Sequence, residues 1–321
     1  MDWLLIMSKV RFIKIFIKFT MFALGILHSK HSIANELQRE FRSARHLGEG
    51  DAGISHAVGS DAIFYNPAGI ADNKGVLSEV VLLSPQLTLS PEISTLVKDA
   101  QGDTDALTLL SKNQNKTFYA DVQNFSGIVF KKTALGALAK ANVSAYVFND
   151  PVSGMPTVQA YASSRIGAYM AFAKDLFQQA FLLGANIKFI NKTEADISMT
   201  ALEAEQDLAN NNLSKVIKDK IHRGNGIGAD FGFIFSPKNK KNFKLGVVYR
   251  NVGMVYRWPI PEGSTPPSRE PQVLDVGTSI LSGTKYSMVK LAFDLRDVTN
   301  VQKVSVYNRM HLGAEINFLE I

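Results

Sequence analysis

The 321-residue chain has no cysteine. That removes disulfides, iron–sulfur clusters, zinc–thiolate sites and thiol catalysis together. No stretch reaches about 18 uninterrupted apolar residues, so a polytopic helical membrane protein is excluded. Charged residues make up only 20% against 46% hydrophobic, with a mean hydropathy of +0.01, which excludes disorder, collagen and coiled coil as the main architecture. Motifs for nucleotide or nucleophile chemistry are missing as well. Gly48-Glu49-Gly50 has no strand–turn–helix unit and no third spaced glycine, and there is neither a Gly-x-Ser-x-Gly elbow nor a Gly-Lys-Ser/Thr phosphate loop. Of the six histidines, His28 and His31 fall near the N-terminus, and His46, His56, His222 and His311 are not paired at metal-ligand spacing. The expectation is no catalysis, no cofactor and no metal.

A shortage of acid near the N-terminus explains the formal net charge of +6. Residues 1–34 carry Lys9, Arg11, Lys14, Lys18 and Lys30 against Asp2 alone. Without them the 35 basic and 29 acidic residues fall to 30 and 28, a net of +2. The basic balance is therefore no argument for nucleic acid. These residues have the layout of an export signal: a basic stretch from Lys9 to Lys18, a nine-residue apolar stretch from Phe19 to Leu27, and small residues at Ser32 and Ala34 before a cleavage site. The apolar stretch is too short to span a bilayer. The expectation is a signal peptide over 1–34 and a mature chain from Asn35; an uncleaved or amphipathic anchor is the other reading.

What the chain has in abundance is period-two alternation. Between Val304 and Phe318 the even positions are apolar except Asn308, and the odd positions are polar or small, the pattern of a strand with one oily and one wet face. Ten such runs occur, at about 76–90, 117–131, 134–149, 156–173, 181–197, 225–236, 242–256, 272–282, 285–297 and 304–318. Most reach the ~9–11 residues a tilted membrane-spanning strand needs. The connectors alternate between mostly long and uniformly short, as in outer-membrane barrels. Two long connectors, Glu92–Leu110 and Thr200–His222, carry helical stripes and would lie across the outer mouth, either as loop cover or as a lid. Charges on a lipid-facing side cost ~2–4 kcal/mol at the midplane. Lys188, Asp230, Lys244, Arg250, Asp275, Lys290, Asp294, Arg296, Arg309, His311 and Glu315 are therefore expected in the lumen, their mixed sign favouring a salt-bridged interior. Tyr249, Tyr256 and Trp258 are expected in an aromatic girdle. Lys238, Lys240, Lys241 and Lys244 cluster at a short turn, read as solvated, with lipid-phosphate contact as the other reading. The same alternation also suits a soluble exported barrel that binds a lipid with its oily face inside.

Residues 42–75 follow neither period. They include Gly48, Gly50 and Gly53, then Ser60-Asp61-Ala62-Ile63-Phe64-Tyr65-Asn66-Pro67-Ala68-Gly69. Asn66 suits an Asx-turn and Pro67 a helix start, which by themselves describe either a fixed gating turn or an ordinary surface turn. Gly48, Gly50, Ala62, Asn66, Pro67, Ala68 and Gly69 resemble the N-terminal signature of the FadL/PorV-like outer-membrane β-barrel superfamily, and Arg309–Glu315 looks like one of its late strands. The resemblance implies a plug or hatch over 35–75 inside a barrel over 76–321, with Gly48, Gly50, Gly53, Asn66, Pro67, Ala68 and Gly69 in the plug. It implies a monomer in the bacterial outer membrane, surrounded by lipid and inserted by the barrel-assembly machinery. The implied function is passage of small hydrophobic compounds such as fatty acids; a PorV-like accessory role in protein secretion or surface attachment is the alternative. That family has fourteen strands where this sequence has ten runs. The fold class expected is all-β: an antiparallel transmembrane β-barrel with an N-terminal plug and one or two loop helices.

Overall fold

The computed structural model describes residues 39–73, 75–101, 105–210, 215, 218–237, 242–259, 265–284 and 287–318. The expected signal peptide and its cleavage site lie outside the described residues, as do Lys238, Lys240 and Lys241 of the turn cluster.

The chain is all-β. Ten strands form one antiparallel sheet in sequence order: β1 (Leu77–Leu89), β2 (Thr117–Phe130), β3 (Thr133–Asn149), β4 (Pro156–Leu176), β5 (Phe181–Thr200), β6 (Ile221–Phe235), β7 (Phe243–Pro259), β8 (Val273–Thr284), β9 (Ser287–Leu295) and β10 (Met310–Phe318). Each corresponds to one of the ten alternating runs. Period-two patterning makes consecutive meander pairing the cheapest way to satisfy the backbone, because each strand finds its partner across the next turn. The sheet is not closed: among the described residues β1 and β10 are not paired, whereas a barrel wall requires that pairing. Pro85 removes one backbone donor from β1, and two register irregularities, at Leu77/Glu79 and Val81/Ser84, interrupt its pairing with β2.

Three further departures from the alternation have local causes. The last strand begins at Met310 rather than Val304 because Asp297, Asn300 and Lys303 adopt positive φ. A short helix, Val306–Arg309, then follows. The Arg309 guanidinium donates to the Asp297 carbonyl at 2.6 Å, so Arg309 staples this loop instead of lining a strand. The helical stripe over 200–222 forms a helix over Ala201–Ala209, Lys215, Lys218 and Asp219 are also helical, and Ile221 and His222 already pair with β5 as part of β6. The stripe after β1 forms two helices, Glu92–Ala100 and Ala106–Lys112; the second packs on the helix that follows β5. Among the described residues no helix is long and apolar enough to cross a membrane.

Burial across the sheet runs opposite to that of a water-soluble protein. On β5, Ile187 and Phe189 are 47% and 45% exposed, while Lys188 between them is 1% exposed. On β6, Phe231 is 50% exposed and its neighbour Asp230 1%. Val122 on β2 and Ile166 on β4 repeat the pattern beside buried Asp121, Gln123 and Arg165. One face of the sheet is apolar and bare; the other is charged and covered.

The cover is the segment 39–73, made of short helices and 3₁₀ turns. Gly50 packs against the Leu312 carbonyl of β10, and the Ser60 amide donates to Glu79 of β1 at 2.7 Å. Ten residues span at most about 33–36 Å, and less when coiled. Ten flat strands would hold their edges about 43 Å apart, so the sheet curls round the segment and brings its two unpaired edges toward each other. Here the segment's own apolar side chains are packed: Phe41, Ile63, Phe64 and Ile70 join Phe125, Val129, Leu138 and Tyr169 of β2, β3 and β4. Phe41 stacks on Phe64 at 4.5 Å, and Phe64 meets Tyr169 edge-on at 4.9 Å.

Candidate functional site

The candidate site is the contact between the segment and the charged face of the sheet, organised around Asn66. Asn66 is fully buried and precedes a 3₁₀ helix, Pro67–Asp72, with Pro67 in its first turn. Its Oδ1 accepts from the Ala68 amide at 3.1 Å, the capping bond expected of an Asx residue. Its Nδ2 donates to the Ile54 carbonyl at 2.8 Å and to the Phe233 carbonyl of β6 at 3.2 Å. One amide therefore caps a helix, ties the two halves of the segment together and anchors them to the wall.

The wall is shaped to receive this turn. Gly184 of β5 and Gly232 of β6 are register partners. A Cβ on Gly184 would lie 2.3 Å from the Ala68 nitrogen, and one on Gly232 would lie 2.1 Å from Asn66 Oδ1. A second register pair, Gly246 of β7 and Gly277 of β8, seats Ile54: added Cβ atoms would fall 2.3 Å from its carbonyl oxygen and 2.8 Å from its Cβ. Sequence reasoning missed these wall glycines. A glycine on the polar face of an alternating strand is unremarkable until the register sets it opposite another.

Of the segment's own glycines, Gly50 has φ +63° and lies against the β10 backbone, Gly53 lies against the Tyr65 ring, and Gly69 lies against the Ala57 carbonyl. Gly48 has nothing within 4 Å of an added Cβ, so close packing makes no demand there. Pro67, Ala68 and Gly69 are buried in the turn.

The charged residues divide into internal pairs and bonds to the segment. Lys188 is held by Asp230 at 3.0 Å and by Glu40 at 2.9 Å. Arg250 pairs with Asp275 at 2.6 Å and donates to the Phe64 and Tyr65 carbonyls, the latter at 2.7 Å. Asp294 accepts from the Gly53 and Ile54 amides at 2.7 and 3.0 Å. Arg296 donates to the Asp51 carbonyl at 2.7 Å and stacks over the Tyr65 ring. Lys244 reaches Asp72 at 2.8 Å. Lys290 pairs with Glu315, which also takes Arg45 at 3.2 Å. His311 accepts from Arg39 at 2.8 Å. Tyr256, expected in an outer girdle, is buried instead: it bonds Glu270 at 3.3 Å and lies under Lys192. The inward parity of β7 breaks at Asn251, which has positive φ and bonds Lys188 at 2.7 Å, and at Val252, which pairs with Ala229; the register irregularities on either side of that pair return Met254 and Tyr256 to the inner face. Tyr249 and Trp258 remain exposed.

Within the segment, Glu49 meets His56 at 2.7 Å. Burial alone would raise the Glu49 carboxyl, but the imidazoles of His46 and His56 and the charge of Lys290 outweigh it and hold it well below the usual range. Burial lowers the His56 imidazole, against the pull of Glu49. Asp61 is raised by burial despite its bond from Ser43.

A cavity of about 500 Å³ opens between the segment and β1, lined among others by Phe41, Val58, Asp61, Glu79, Val81 and Phe125. Its volume falls in the range of small-molecule sites. No protein-family model, curated protein or solved structure matches the chain.

Proposed function

We propose that the protein is an outer-membrane β-barrel protein whose sheet stands in lipid and whose N-terminal segment plugs its interior, and that it passes small hydrophobic compounds. The observation that carries the membrane reading is the inverted burial: Ile187, Phe189 and Phe231 bare outside, Lys188 and Asp230 paired inside. In water such a surface would be a large apolar patch of the kind soluble monomers avoid; in lipid it is the required outer surface. The N-terminal signature of the FadL/PorV-like superfamily adds the role of a plug, and the cavity beside β1 is the place for a ligand, with Phe41, Val81 and Phe125 as its apolar lining.

The specific observation favouring the alternative, a PorV-like accessory role, is the number of charge pairs and backbone bonds fixing the segment in place, which suits a permanently sealed scaffold. Uptake of a hydrophobic fluorescent probe into vesicles carrying the wild type or Asn66→Ala/Pro67→Ala separates the two. Uptake that changes in the variant while the sheet stays folded supports passage through a plugged interior. Equal and negligible uptake by both proteins would leave the accessory role.

A further inference from the structure

The segment gathers three metal-ligand side chains that the sequence spreads over eleven positions. The short helix Ala44–Gly48 and its C-cap bring His46 and Glu49 to one side, three residues apart. Positive φ at Gly50 and Asp51 then reverses the chain, so that His56 returns beside them. His46 Nδ1 lies 3.7 Å from Glu49 Oε2, and His56 Nε2 lies 2.7 Å from the same oxygen. One ligand atom from each residue lies within 4.8 Å of the other two. The side chains of His46, Glu49 and His56 are 2%, 5% and 6% exposed.

Three details describe a site built for a ligand. His46 Nδ1 is buried without a hydrogen-bond partner, and it is the nitrogen turned toward Glu49. The other nitrogen of that ring, Nε2, faces Asp61 Oδ2 at 3.6 Å, and Asp61 is itself held by Ser43 Oγ at 2.7 Å. A carboxylate behind the far nitrogen is what orients a metal-ligating histidine and fixes its tautomer. Room for the ring is left by Gly53, where a Cβ would come within 3.1 Å of His46 Nδ1. Arg45 and Lys290 approach Glu49 through Oε1, at 3.3 and 3.8 Å, which leaves Oε2 to the imidazoles.

We propose that His46, Glu49 and His56 bind a borderline divalent transition-metal cation, of the Zn²⁺ type, within the N-terminal segment. Two imidazoles and one carboxylate suit such an ion. Bonds of about 2.0–2.2 Å put the donors of a tetrahedral zinc site about 3.3–3.5 Å apart, so the cluster closes by side-chain rotation and the fourth position goes to water. A bound cation satisfies the orphaned His46 nitrogen, which the His56–Glu49 pair alone does not. It also clamps the 46–56 loop, whose Gly53 and Ile54 amides are the ones Asp294 of β9 receives. The proposal goes beyond the membrane reading and does not depend on it.

The test uses the full chain in detergent, stripped with a chelator, then titrated with Zn²⁺ by calorimetry and with Co²⁺ by visible absorption. The expected result is one ion per chain and the visible bands of tetrahedral cobalt. His46→Ala and His56→Gln should each weaken binding by 100-fold or more and abolish the bands, and Asp61→Asn should weaken it about 10–100-fold. His222→Gln and the double variant His28→Gln/His31→Gln should match the wild type. Where a ligand variant fails to fold, the wild type and the His28/His31 double variant decide through their cobalt spectra. Absence of stoichiometric binding by the wild type, binding that survives both His46→Ala and His56→Gln, or binding lost with His28 and His31 would overturn the site.

Discussion

The sheet and the segment it wraps bury opposite things. In the segment, Ile54, Ile63, Tyr65 and Ile70 are at most 2% exposed, as in any aqueous core. In the sheet, Ile166, Ile187 and Phe231 stand exposed while Lys188, Asp230 and Asp294 are at most 1% exposed. A single chain following both rules has an interior that must be filled and, on the reading proposed above, an exterior that meets lipid. The segment supplies the filling, because its backbone complements the wall's charges: the Phe64 and Tyr65 carbonyls accept from Arg250, and the Gly53 and Ile54 amides donate to Asp294. The wall's glycines let the two backbones approach.

The sharpest way to break that comparison is to remove an inner charge. Lys188→Met leaves Asp230 and Glu40 facing each other in a buried place, and loss of one partner of a buried pair costs about 3–5 kcal/mol. Its unfolding midpoint in denaturant should drop far below that of an exposed control such as Lys112→Met. An outward substitution comes next. Ile316→Arg puts a charge where the proposed lipid lies, at up to ~2–4 kcal/mol, and should block assembly into vesicles, read as loss of heat-modifiable migration. Leu312→Arg should do the same, while Glu315→Gln should assemble.

At the joint between the two regions, Asn66→Ala removes the bonds to Ile54 and Phe233 and the cap on Ala68. It should cost about 1–3 kcal/mol, by leaving buried groups unpaired, and expose the segment to protease before the sheet is cut. The finest comparison is between two glycines. Gly232→Ala should destabilise by about 1–3 kcal/mol through crowding of Asn66, whereas Gly48→Ala should stay within about 0.5 kcal/mol, both read from denaturant midpoints.

The ten strands were legible because period two, once set, is hard to mistake: Ile187-Lys188-Phe189 reads the same in sequence and in burial. Where reading failed, backbone conformation intervened. Val304–Arg309 alternates like a strand, yet positive φ at Asp297, Asn300 and Lys303 keeps that stretch off the sheet. Tyr256 has the chemistry of a girdle, yet the register of β7 with β6, irregular on either side of Val252, sets it inward opposite Gly226. The open edge was invisible, because closure depends on how far the sheet curls and on the interrupted pairing of β1, not on any one run. The Asn66-Pro67 turn could be found from its own chemistry. Its glycine seat could not, since Gly184 and Gly232 meet only through register. The nearness of His46, Glu49 and His56 likewise depends on a reversal at Gly50 and Asp51 that no spacing rule contains.

The central claim is that the bare apolar face of the sheet meets lipid. Because the chain has no cysteine, one introduced cysteine carries one spin label and nothing competes. Ile187→Cys, Phe231→Cys and Ile166→Cys, labelled and reconstituted in vesicles, can be probed by electron paramagnetic resonance for collisions with oxygen and with a water-soluble nickel complex. The account predicts high oxygen and low nickel accessibility at all three positions, against the reverse at the exposed loop position Val152→Cys. High nickel accessibility at Ile187, Phe231 and Ile166 would place that face in water and contradict it.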